Sequence, residues 1–243
     1  VEHGTQWHRA LGGEPAVPPV TRGVETEQPV EPTVDRQAIA AALYFAMDIQ
    51  KTLKVPIGMI VSAVGGTPCE SWTPRPVLAN QPDLKRILKD YAATVAKRGG
   101  AGGEARWKAR IRKWAKGGRK GRRPRKPYHL QREKRPSGLY DSMIAPIQRF
   151  PVKGVIWYQG ESNAGRAVQY RDLFPLMIQN WRDEWGQGDF PFYWVQLADF
   201  LAEQYEPGES GWAELREAQL MTLEQPNTGM AVIIDIGEAE DIH

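Results

Sequence analysis

The sequence predicts an α/β domain built on a parallel sheet with helices on both faces. Two observations carry this. Short, near-continuous apolar runs alternate with longer stretches of helical period. Each run also ends in a loop of glycine and polar residues rather than in a hairpin turn, which suits strands that return through crossover helices.

The elements follow in order. Residues 1–34 are rich in Pro, Gly and polar side chains and read as an irregular leading segment. Asp35 reads as the N-cap of a helix carrying Ile39, Ala42, Leu43, Ala46 and Met47 at helical spacing. Val55 to Val61 is expected to form a buried parallel strand. Asp83 to about Lys97 and Glu104 to Lys116 have helical character. A second strand is expected over residues 153–158, a helix over Tyr170–Trp185, and a third strand over residues 192–197. Pro175 lies within that helix and demands a kink or a start nearby. A helix from Trp212 to Leu223 and a fourth strand from Gly229 to Asp235 complete the domain, which spans residues 35–243.

At 243 residues the chain can enclose a sizeable core. No apolar run approaches a membrane span in length. The single cysteine, Cys69, excludes an intrachain disulfide, and a buried structural thiol is its expected role. His3, His8 and His129 show no metal-ligand spacing. The formal net charge of +3 conceals a division: residues 97–135 hold 17 of the 32 Lys and Arg and only Glu104 and Glu133 of the 29 acids. That leaves the remainder at about −12. Residues 99–135 therefore read as a basic insertion. Its part from Gly117 to Arg135 has little that could pack, and is expected to be flexible or ordered by a partner. Such a segment could grip a polyanion or be a solvated surface.

In an open parallel sheet the chemistry lies outside the carboxyl ends of the strands. The loops to inspect begin at Ser62, Gln159, Ala198 and Asp235. The first contains Gly65 and Gly66, which would open backbone N–H groups to a substrate or simply make a tight turn. The second carries Gln159, Glu161, Ser162 and Asn163, where an amide could donate to an oxyanion and Ser or Asn could cap a helix. The last sets His243 beside Glu238, Glu240 and Asp241, the pairing of imidazole and carboxylate that a general base needs.

Together these stretches resemble the sialate O-acetylesterase family of SGNH hydrolases. The matching runs are Val55–Gly58, Gly65–Trp72, Leu139–Pro146, Gly154–Ala164 and Asp241–His243, and the Trp157-Tyr158-Gln159-Gly160-Glu161 run is the most specific. The resemblance implies a three-layer α/β/α flavodoxin-like fold and the hydrolysis of sugar acetyl esters without a metal or other cofactor. A secreted or periplasmic setting is implied in the same way. The family's nucleophile is a serine in a Gly-Gln-Ser-Asn-Met motif, a run absent from this sequence. The resemblance puts that serine and the first strand ahead of Val1, so a chain incomplete at its N-terminus and inactive alone is expected.

By the same resemblance His243 matches the catalytic base, Gly66 the oxyanion glycine region and Gln159 a polar oxyanion donor. Asp241 is favoured as the supporting acid, with Glu240 second. Ser62 and Ser71 are weaker candidates for a replacement nucleophile. Trp72, Trp157, Tyr158 and Trp194 could stack on a sugar or pack in the core. The alternative to an esterase is an inactive SGNH scaffold binding an anionic polymer through its insertion.

Overall fold

In a computed structural model the long helix Ala167–Trp185 organises the molecule. The structure describes residues 36–98, 100–127, 130–200, 206, 208–237 and 240. All of them fall within the unit that runs from Thr33 to His243. In chain order the helices are α1 (Arg36–Leu53), α2 (Arg75–Asn80), α3 (Pro82–Arg98), α4 (Gly100–Lys116), α5 (Ala167–Trp185) and α6 (Gly211–Met221). The strands are β1 (Val155–Trp157), β2 (Phe192–Val195) and β3 (Thr228–Ala231).

All three strands are parallel, in the order β1-β2-β3. Their register sets Trp157 beside Trp194 and Met230, and Ile156 beside Tyr193 and Gly229. One sheet face is therefore aromatic and faces α5. Helix α5 repeats Tyr170, Leu173, Phe174, Met177, Ile178 and Trp181 on its inner side, all buried. Phe174 meets Trp194 edge to face at 5.2 Å, and Trp157 meets Trp181 at 5.8 Å and 88°. Such pairs add about 0.5–1.5 kcal/mol each beyond the area they bury. The helix runs through Pro175 and ends at Gly186, whose φ of 61° gives a left-handed cap.

Several expectations shift. Residues 55–61 form no strand, and Val55, Met59, Ile60 and Val61 are exposed. A buried strand needs a neighbour to take its backbone bonds, and no described strand lies beside this one. The last strand ends at Ala231, so Asp235 belongs to a turn closed by Ile236 N–H donating to Ile233 O. The basic insertion is more ordered than its composition suggests. Trp107 and Trp114 donate from their indole nitrogens to Pro124 O (3.3 Å) and Gly121 O (3.1 Å). Asp35, the expected N-cap, lies outside the described residues. No described helix is long and apolar enough to cross a membrane.

Candidate active site

The polar residues of two chain segments meet at the carboxyl end of β1. The first segment is the glycine loop. Gly66 has φ 67°, a conformation that favours glycine, and a Cβ placed on it would meet nothing within 4 Å. The backbone at Gly66 is exposed. Behind it the chain is pinned: Thr67 Oγ1 donates to Val64 O (2.8 Å) and accepts from Trp72 Nε1 (3.0 Å). A short 3₁₀ turn, Cys69–Ser71, follows and is buried throughout.

The second segment leaves β1 at Trp157. Gln159 is buried and uses both of its amide protons: Nε2 donates to Thr67 O (3.1 Å) and to Asn163 Oδ1 (2.8 Å). Its Oε1 accepts from the Tyr170 hydroxyl (3.1 Å). Gln159 thus fixes the backbone next to Gly66, and direct donation to a substrate oxygen would require it to release one of these bonds.

Asn163 is the hub. Its Oδ1 also accepts from Cys69 N–H (2.9 Å), and its Nδ2 donates to Glu70 Oε2 (3.0 Å). The other carboxylate oxygen of Glu70 takes a 2.6 Å bond from Arg166. The Glu70 side chain is only 4% exposed, whereas Arg166 is 41% exposed. The pair is therefore a buried anion held by a cation at the surface, with charge-assisted bonds. Gln219 of α6 closes the set, donating to Gln159 O (3.1 Å) and accepting from Leu197 N–H (3.0 Å).

Packing dictates the glycine between these residues. A Cβ on Gly160 would meet Leu215 Cδ2 at 2.6 Å and Leu197 Cγ at 3.1 Å. Burial raises the Tyr170 hydroxyl pKa well above the usual tyrosine range, with Cys69 adding to the rise. Tyr170 therefore stays a donor toward Gln159. Burial, followed by the Glu70 carboxylate, likewise raises the Cys69 thiol. That thiol is fully buried against Met177 Sδ at 3.6 Å, so the structural reading of Cys69 holds.

The other strand-end loops also draw together. Asp199 follows β2, and Gly237 is close enough that a Cβ there would collide with the Asp199 carboxylate. Asp199 Oδ1 is buried without a hydrogen-bond partner. The chain that leads toward His243 thus passes the carboxyl end of β2. His243 and Asp241 themselves lie outside the described residues. Glu240 is exposed. The hydroxyls of Ser62 and Ser71 are both enclosed, and Trp72, Trp157 and Trp194 belong to the core.

Sequence reasoning brought Gly66 and Gln159 to one place. It did not pick out Thr67, Glu70, Arg166, Tyr170 or Gln219. For two of them a signal existed. Tyr170 and Gln219 are polar groups on the inward faces of α5 and α6, where an apolar residue would be ordinary.

A family model described as carbohydrate esterase, sialic acid-specific acetylesterase matches residues 104–243. The human sialate O-acetylesterase is 30% identical over 212 residues, covering 81% of this chain and 33% of that protein. The mouse enzyme is 31% identical over 229 residues, covering 81% and 37%. A crystal structure of a carbohydrate acetylesterase from Xanthomonas citri superposes with a TM-score of 0.60 at 37% identity, covering 84% of this chain and 36% of that one. The chain spans about a third of the length of these curated relatives.

Proposed function

This chain belongs to the family of sialic acid-specific carbohydrate acetylesterases, and from that premise we propose that its protein removes O-acetyl groups from sugars by acyl transfer. A serine hydroxyl attacks the acetyl carbonyl while His243 takes its proton. Asp241 orients the imidazole, with Glu240 the second choice. The backbone N–H at Gly66 receives the developing oxyanion, and water then releases acetate. The enclosed hydroxyls of Ser62 and Ser71 argue against either as the attacking group.

The observation that carries this reading is the lattice of amides around Gly66. Gln159 donates to Thr67 O beside Gly66, and Asn163, bonded in turn to Cys69 N–H and Glu70, holds Gln159 in place. A preorganised donor is what stabilises a developing negative charge most effectively, because nothing must reorient as the reaction proceeds. Gln159 was expected to donate directly. Its bonds favour a role in setting the Gly66 loop, with direct donation available only if the Thr67 bond is given up.

Contact with a polyanion through residues 99–135 is part of the same proposal, as an addition to the esterase rather than a replacement for it. The test uses protein expressed from the complete open reading frame that encodes this chain. It should release acetate from O-acetylated sialic acid or from acetylated xylan. His243→Ala should lower kcat by at least about 10³-fold, since losing a triad member leaves only binding and oxyanion stabilisation. Absence of acetate from both substrates would sink the reading.

A further inference from the structure

We propose that residues 100–126 grip a polysaccharide bearing uronate carboxylates, so that the acetyl ester is presented on an acidic glycan chain. The substrate clause rests on the esterase reading above; the grip does not.

The insertion is a built object. After α4 the chain turns at Gly117, whose N–H donates to Lys113 O (3.0 Å), while Arg119 N–H donates to Trp114 O (3.0 Å). Gly118, Arg119 and Gly121 all have left-handed φ, at 75°, 60° and 75°. The returning segment is then fastened twice, at Gly121 by Trp114 and at Pro124 by Trp107. The two indoles are seven residues apart, about 10.5 Å along a helix. Their partners are three residues apart, about 10 Å when extended. The return segment therefore runs back along α4 nearly fully stretched.

This places two basic rails side by side. Between Glu104 and Lys126 the sequence has twelve Lys and Arg against the single Glu104. Arg112, Lys113 and Lys116 on the helix and Arg119, Arg122 and Arg123 on the return are all exposed. Among the described residues none of these six has an ion-pair partner. Like charges at this spacing repel, and a row of carboxylates would relieve the repulsion. Arginine's planar fork pairs bidentately with a carboxylate, as it does with a phosphate.

The chain that follows the rails reaches the candidate site. Where the insertion ends, Ser137 N–H donates to Glu70 O (2.8 Å), on the residue whose side chain holds Asn163 and Arg166. The chain that leaves the rails at Lys126 thus meets the candidate site eleven residues later, at Ser137. A nucleic acid fits less well. Trp107 and Trp114 are the described aromatics of the segment. Both are half-buried and tied by their indole N–H groups to its own backbone, so two aromatics among twelve cations offer few platforms for successive bases.

The test compares full-length protein with the triple variant Arg119→Gln, Arg122→Gln, Arg123→Gln, all exposed positions. Retention on immobilised polygalacturonate in low salt should be lost in the variant. KM for acetylated polygalacturonate should rise at least about 10-fold, with kcat on a neutral acetylated xylo-oligosaccharide unchanged. Unchanged retention and KM would overturn the grip, as would retention that survives 1 M salt. Tighter binding to duplex DNA than to polygalacturonate would overturn the choice of glycan. Retention that depends on the three arginines, without acetate release from any substrate, would defeat the esterase reading alone.

Discussion

Asn163 does more per atom than any other residue near the candidate site. Its amide accepts from Cys69 N–H and Gln159 and donates to Glu70. Truncation to alanine would leave a buried backbone N–H, one amide proton of Gln159 and a carboxylate oxygen without partners. An orphaned buried group costs about 1–3 kcal/mol. Asn163→Ala should therefore destabilise the fold by roughly 3 kcal/mol or more, read as a lower urea midpoint at unchanged slope. A loss under 1 kcal/mol would mean that water replaces the side chain.

Cys69 gives a second expectation at this scale. Its thiol is buried and its pKa is raised by that burial first and by Glu70 second. The unfolded thiol ionises near pH 8.5, while the folded one keeps its proton. Stability from this residue is thus fully present below about pH 8.5 and declines as pH rises toward the folded pKa. Native protein at pH 8 should react with a thiol reagent only at the rate of unfolding. Rapid stoichiometric labelling would contradict the packing around Met177.

Among the elements, α5 and its aromatic sheet face carry the core. Phe174 contacts Tyr170, Trp157, Phe192 and Trp194 at ring distances of 5.2–6.2 Å. Phe174→Ala should cost about 3–5 kcal/mol, as cavity formation adds to lost transfer energy. The same argument explains which elements were legible in the sequence. Helices α5 and α6 and strands β1 and β2 were, because their apolar residues repeat at the period of the element. The segment 55–61 was misjudged because composition marks a strand as apolar but cannot supply its neighbour. The insertion was read as helical over Glu104–Lys116, as it is, but its return from Gly117 was expected to be flexible or ordered by a partner, whereas it is fastened at Gly121 and Pro124. Its order depends on two indole N–H groups meeting backbone carbonyls seven and seventeen residues away, which no local propensity records. At the candidate site Gly66 and Gln159 stood out because they follow apolar runs. Arg166 and Gln219 did not, since their meaning comes from partners 96 and 60 residues distant in the chain.

The whole molecule is divided by charge. Twelve cations and one anion lie within the 100–126 insertion, and the rest of the sequence is predominantly acidic. The tryptophan hydrogen bonds of the insertion stay within it, and its exit is tied through the backbone at Ser137, outside those residues. The aromatic core formed by α5 and the strands includes none of its residues. Replacing 100–126 with a short Gly-Ser linker should thus remove little apolar burial from the core. It also removes a concentrated self-repulsion, and lengthening or shortening a surface connection changes closure entropy only slowly. The expected result is a Tm within about 4 °C of the parent, a shift that corresponds to roughly 1 kcal/mol or less for a domain of this size. The formal net charge at the same time passes from +3 to −8, since twelve positive charges and one negative are removed. At pH 7 the parent should bind a cation exchanger and the shortened protein an anion exchanger. A collapse in Tm with the same change in exchange behaviour would show that the insertion supports the fold. Charge would then be the lesser part of its role, because the grip and the core would be a single structure.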